Sequence, residues 1–145
     1  MFIRNLIEFV LSNFRTVYIF ESKKNKRYLK YENFNLRLYN SLNSIKDQKL
    51  KKYLVKEKKI GRFKMKQTLL VLFNKKKCVC TGWLYQGFNW YVSEIGKKID
   101  IQKKVLLFDF FTFSEFRNKG YYCKILKLIK NIKTKKTFLI YCLKN

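Results

Sequence analysis

The stretch from Lys104 to Ile132 constrains this chain more than any other, because its hydrophobic period changes within it. Residues 104–113, KVLLFDFFTF, are almost wholly apolar and rich in β-branched and aromatic side chains. A run that short and that apolar fits a buried strand. Residues 114–122, SEFRNKGYY, form a short polar loop with one glycine, Gly120. Tyr121, Ile125, Leu128, Ile129 and Ile132 then recur at helical spacing. The pattern predicts strand, glycine loop, amphipathic helix. Such a junction points the first backbone N–H groups of the helix at whatever lies above it, which suits a phosphate.

The rest of the chain extends that unit. Residues 137–143, TFLIYCL, read as a final buried strand, so strand, helix and strand make a crossover with parallel strands. Upstream, residues 67–73 (QTLLVLF) and 78–85 (CVCTGWLY) are strands joined by a lysine-rich turn, a hairpin. Gly82 inside the second strand marks a bulge or a close approach by another backbone. Residues 16–21, TVYIFE, read as a first strand. Ile3, Leu6, Ile7, Val10 and Phe14 predict an amphipathic helix over residues 2–14, packed on the domain rather than lying on a membrane. Ile45, Leu50, Tyr53 and Leu54 predict a helix over about residues 45–58. Residues 31–42 fit a strand or a helix, and Trp90-Tyr91-Val92 a short strand or a loop covering a cleft. Residues 22–30 read as a basic surface segment. The expected fold class is α/β with a mixed sheet, in a single domain spanning residues 1–145.

Charge and residue usage narrow the chemistry. The formal charge is +25, from 34 Lys and Arg against 9 Asp and Glu. That suits nucleic acid, anionic membranes or anionic substrates. However, the chain has no Ala or Pro and abounds in Lys, Asn, Phe, Ile and Tyr, all read from AT-rich codons. Codon usage therefore competes with nucleic-acid binding as the origin of the charge. Residues 44–66 hold ten Lys and Arg against Asp47 and Glu57, which reads first as a solvated helix face and second as an RNA surface. The absence of His removes Ser-His and Cys-His nucleophile pairs, imidazole bases and imidazole metal ligands. Cys78 and Cys80 lack zinc-knuckle spacing, and strand alternation would put both on one face as small apolar residues. Four free thiols and no metal are expected, in a cytoplasmic protein. No apolar run is long enough for a transmembrane helix, and Arg4, Asn5 and Glu8 break the N-terminal run that would make a signal peptide.

Arg117-Asn118-Lys119-Gly120-Tyr121-Tyr122 resembles the R/Q-x-x-G-x-G/A signature of the GNAT acyl-CoA N-acyltransferases. In that family the signature follows the fourth strand and opens a helix. Arg117 and Gly120 match, and Tyr122 stands where the family has a small residue. The order of elements resembles the family from its start through its fifth strand, and the hairpin at residues 67–85 falls at its second and third strands. A further helix and two strands, which in the family form one side of the CoA cleft and often carry a tyrosine general acid, would be missing, giving a C-terminally short GNAT-like fold.

The resemblance implies an N-acetyltransferase in which an amine attacks acetyl-CoA directly. Backbone groups of Arg117, Asn118, Lys119, Gly120, Tyr121 and Tyr122 would hold the CoA pyrophosphate. A backbone amide of Phe110, Phe111 or Thr112 would polarise the acetyl carbonyl. Asp109, the carboxylate inside the central strand and set among Leu and Phe, is the candidate base, with Glu115 as the alternative. No metal is implied. The basic balance suits an anionic amine acceptor. Ending at the strand 137–143 would leave an apolar edge open to pairing, and self-association through it, or poor solubility, is expected. Two other readings compete. One is a small basic RNA-binding or ribosome-associated protein. The other is an inactive GNAT-like remnant.

Overall fold

The computed structural model describes residues 7–10, 16–22, 33–93, 96–102, 104–132 and 137–143. In chain order the elements are β1 (Ile7–Val10), β2 (Thr16–Ser22), β3 (Phe34–Tyr39), α1 (Gln48–Lys56) and α2 (Gly61–Lys64). There follow β4 (Thr68–Asn74), β5 (Lys77–Tyr85), β6 (Asn89–Val92), β7 (Lys97–Asp100) and β8 (Lys104–Thr112). A 3-10 turn at Ser114–Phe116, α3 (Tyr121–Ile129) and β9 (Thr137–Leu143) complete the set. Seven strands form one sheet in the order β1-β2-β9-β8-β5-β4-β3, and β6 and β7 form a separate hairpin. Among the described residues only β8 and β9 run parallel, and the other pairs are antiparallel. The architecture is thus mixed α and β around a mostly antiparallel sheet.

The central strands are buried on both faces, which is why their sequences read as continuous apolar runs rather than alternations. Leu69, Val71, Phe73, Trp83, Leu106 and Phe108 face a core that Ile45 and the α1 residues Leu50 and Leu54 complete. Leu70, Leu72, Val79, Leu84, Val105 and Leu107 face the opposite core, closed by Ile125, Leu128 and Ile129 of α3. Leu50 and Leu54 lie one turn apart, so one stripe of α1 docks while its lysines stay outside. Asp47 caps that helix, its side chain accepting the Leu50 N–H at 2.9 Å. The β6–β7 hairpin folds onto the α1 side, with Val92, Trp90 and Ile99 in or against that core.

Several expectations change here. Residues 7–10 are a strand rather than part of a helix, pairing with Thr16–Ile19. A short apolar run carries no clear period of its own, and the neighbouring strand decided it. The rest of the expected helix, and all but Ser22 of the basic segment 22–30, lie outside the described residues. Residues 34–39 resolve as a strand, and α1 is shorter than expected. Helix α3 stops at Ile129, ahead of Ile132. The far edge of β9 is not open, because β2 pairs antiparallel along it from Val17↔Leu143 to Ser22↔Phe138. Self-association through that edge has no free strand to use.

Cys78 and Cys80 also do not share a face. The β4–β5 register shifts between Leu72 and Phe73, so Cys78 joins the α1-side core and Cys80 the α3-side core. Alternation fails there because a bulge inserts Val79 between them. Both thiols are buried and unbridged, as against the exposed, unbridged Cys123.

Candidate functional site

Two breaks in regular pairing meet near the end of β8. The first is a bulge. Thr81 opposes Phe111 and Trp83 opposes Phe108, so Asp109 and Phe110 together face the single residue Gly82. Asp109 takes the left-handed region with φ 48°, which Asp tolerates better than most residues. A bulge leaves part of the ladder unpaired and re-aims the side chains around it. Phe108 and Asp109 therefore both point to the α1 side, whereas Phe110 packs on the α3 side. The Phe110 ring lies on Gly82, where a Cβ would collide with it, so the glycine marks a bulge, carried by the facing strand, and the close approach is by a side-chain ring rather than by another backbone.

The second break separates β8 from β9. Their parallel pairing runs from Lys104↔Thr137 to Leu107↔Ile140 and goes no further, although both strands continue. From Phe108 onward, among the described residues, β8 has a strand partner only on its β5 side. β9 stays with β2 instead. The pairing of two parallel strands thus ends before their carboxyl ends, the place where open sheets with such strands receive ligands.

The glycine loop follows directly. Arg117 folds back so that Nε donates to the Thr112 carbonyl at 3.2 Å, tying the loop to the end of β8. Lys119 Nζ donates to the Glu115 carbonyl at 3.1 Å. Asn118 and Gly120 both have positive φ, 58° and 71°. Gly120 is the N-cap of α3, whose first backbone bond runs from Lys124 N to Gly120 O. A Cβ on Gly120 would meet nothing within 4 Å, so the space over the loop is open. Tyr121 turns towards β3 and β4, against Phe34, with its hydroxyl accepting from Asn74 Nδ2 at 3.2 Å. Tyr122 leans edge-on against Phe110 at 5.2 Å between centroids and is 37% exposed. The loop therefore offers a phosphate a helix start, an open approach and two cationic side chains.

On the α1 side of the bulge lies a group that the sequence did not reveal. Asp109 Oδ2 accepts from Arg62 Nη1 and pairs with Lys59 Nζ at 2.7 Å. Lys59 also donates to the Tyr53 hydroxyl at 2.9 Å. Tyr53 stacks on Phe111 at 4.7 Å, and the Arg62 guanidinium lies over Trp83 and Phe108 at 5.2 and 5.3 Å. Burial raises the Tyr53 phenol, with Lys59 acting against that rise. Asp109 is thus held by two cations rather than by the apolar side chains expected of it. Glu115 is exposed and pairs with Lys49, which lowers its carboxyl. Lys59 and Arg62 carried no mark in the sequence, being two cations among ten in a basic run, and Tyr53 counted there only towards the apolar stripe of a helix. The pairing appears only once the bulge turns Asp109 towards the α1–α2 turn.

No known family profile matches the chain, and no curated protein matches it. Among solved structures it is similar to a functionally unknown conserved protein from Staphylococcus epidermidis ATCC 12228. The TM-score is 0.52 at 10% identity, over 90% of this chain and 51% of that one. The chain thus spans about half the length of that protein. At this identity the likeness concerns the fold alone. No described helix is long and apolar enough to cross a membrane, and no group of His, Cys, Asp or Glu among the described residues is arranged to hold a metal.

Proposed function

We propose that this chain has a GNAT-like fold and acts as an acetyl-CoA-dependent N-acetyltransferase, with acetyl-CoA between β8 and β9 where their pairing ends. The observation that carries the reading is the coincidence of three features at one end of β8. These are the strand separation after Leu107↔Ile140, the bulge at Asp109–Phe110, and the loop Arg117–Gly120 opening α3. An extended, amide-bearing ligand suits a strand edge left unpaired, because it can continue the ladder with its own amide groups. The pyrophosphate would meet the backbone of residues 117–122, with the Arg117 and Lys119 side chains beside it. Backbone N–H groups of Phe110, Phe111 or Thr112 would meet the acetyl oxygen, as preorganised donors do for developing oxyanions. The amine would arrive from the α1 side, where Asp109 is turned by the bulge.

In this reading the amine nitrogen bonds to the acetyl carbon, the carbon–sulfur bond breaks, and the electron pair leaves with sulfur. Asp109 takes a proton from the amine, and a proton ends on the CoA thiol. The hairpin β1–β2 supports the same fold reading, since it supplies, from the N-terminal side, two antiparallel strands beyond β9. Calorimetric titration of acetyl-CoA tests the proposal. One molecule should bind per chain, with Kd in the range of about 1 μM to 1 mM, and binding should persist at salt concentrations that remove non-specific anion contacts. Folded protein that fails to bind at millimolar acetyl-CoA overturns it.

A further inference from the structure

We infer that the acceptor is a free amino acid or a close analogue, carrying an amine and a carboxylate on one small skeleton. This rests on the acetyltransferase reading above and assigns its second substrate. The carboxylate would dock on Arg62 and the amine on Asp109.

The argument begins with charge. Lys59 and Arg62 bring two positive charges to one carboxylate, so the cluster carries an excess of one. Its side chains are 13%, 28% and 31% exposed for Lys59, Arg62 and Asp109, so water compensates that excess only in part. A partly buried excess cation favours a single anion beside it. The two cations have different standing. Lys59 is the more buried and is braced between Asp109 and Tyr53, which makes it a strut. Arg62 is more open, and its guanidinium plane is held over the Trp83 and Phe108 rings. Among the described residues its one hydrogen bond is through Nη1 to Asp109, which leaves other donors of the fork for a ligand. A planar fork with donors to spare matches a carboxylate in two-point contact.

The Asp109–Arg62 pair is complementary to a zwitterion. An ammonium beside Asp109 and a carboxylate beside Arg62 replace one internal ion pair with two across the ligand. An amine without a carboxylate would leave the open donors of Arg62 unfilled, whereas the zwitterion, which adds no net charge, sets its two charges in the order that Asp109 and Arg62 offer. The proton balance closes as well. Of the three ammonium protons, one remains on the amide nitrogen of the product. One passes to Asp109 and on to solvent, and one ends on the CoA sulfur.

The twenty standard amino acids, each paired with its carboxamide, make the test, read by release of CoA thiol and by mass of the N-acetyl product. At least one acid is expected to be turned over with kcat/KM about 10-fold or more above that of its amide. In Arg62→Gln that preference should collapse while acetyl-CoA affinity, measured separately, stays within about 2-fold. Arg62→Lys, which keeps the charge without the fork, should fall between. Acid and amide used equally, or no acid used by a protein that binds acetyl-CoA, would overturn the acceptor assignment and leave the acetyltransferase reading standing. Failure to bind acetyl-CoA removes both.

Discussion

The ring of Phe110 rests on Gly82, in the one-residue gap that faces the two-residue bulge of β8. The glycine supplies the missing side chain, and the ring fills its place. Gly82→Ala must therefore displace Phe110 and disturb the bulge. Overpacking of this kind costs about 1–3 kcal/mol. Urea unfolding should show that loss in the single variant and a much smaller one when Phe110 is already Ala. An equal loss in both backgrounds would mean that the contact does not set the need for glycine.

Asp109 combines an unusual backbone with a paired charge, and substitutions separate the two. Asn keeps much of the tolerance for φ 48° but leaves Lys59 and Arg62 without their counter-ion. Asp109→Asn should destabilise by about 1–3 kcal/mol. Asp109→Val should lose roughly another 1–2 kcal/mol through backbone strain. Adding Lys59→Met to Asp109→Asn should recover part of the loss, since one of the stranded charges is gone. Equal stability of the Asn and Val variants would show that the left-handed backbone carries little strain.

These two residues mark the limit of what the sequence disclosed. Gly82 stood out because a glycine in an apolar strand asks for a bulge or a close approach by another backbone; the bulge is present on the facing strand, and a phenylalanine ring takes the place of the backbone. The unit of strand, glycine loop and helix was legible because its period changes sharply at Ser114 and again at Tyr121. Pairing order was not legible beyond the hairpin and the crossover. That β2 would close the edge of β9 is a contact between opposite ends of the chain, and no local period reports it. The separation of Cys78 from Cys80 depends on the β4–β5 bulge, which alternation alone does not reveal. The pairing of Asp109 with Lys59 and Arg62 likewise follows from a bulge plus a long-range packing of α1 and α2.

The buried thiols give a pH dependence of definite sign. Burial pushes Cys80 from an ordinary 9.0 up to about 11, and raises Cys78 further. A raised thiol favours the folded state fully below the unfolded value near 9.0. That stability is lost as pH rises from about 9 towards about 11, where the unfolded chain ionises first. For Cys80 the loss amounts to about 2 kcal/mol. Cys80→Ala should flatten the alkaline fall in urea midpoint between those pH values. In a Cys142→Ser background, native protein should expose one fast-reacting thiol, Cys123, and two more only on unfolding. Rapid labelling of Cys78 or Cys80 in folded protein would contradict their burial.

The loop gives the sharpest test of ligand binding, because its geometry separates strain, bulk and obstruction. Gly120 has φ 71°, so any L side chain there carries about 1–2 kcal/mol of backbone strain. A Cβ meets nothing within 4 Å, so no clash within the protein adds to it. Gly120→Val should thus fold with modestly reduced stability while its side chain stands in the open space above the loop, and acetyl-CoA binding should disappear. Gly120→Asn tolerates the backbone but still fills that space. Loss of affinity in both variants would trace the effect to bulk, whereas retention in Asn alone would trace it to strain. Arg117→Ala removes the bond to the Thr112 carbonyl from an exposed side chain, so it should weaken binding several-fold without unfolding the chain. Tyr122 decides the last point, since its ring leans on Phe110 of the bulge and remains partly exposed. Tyr122→Ala avoids the helix penalty of glycine, about 1 kcal/mol. Unchanged or weaker acetyl-CoA affinity in that variant means that the ring lies clear of the ligand or contacts it. Tighter binding, seen also in Tyr122→Gly, would mean that the ring occupies the native site, and the acetyltransferase reading would give way to that of an inactive remnant.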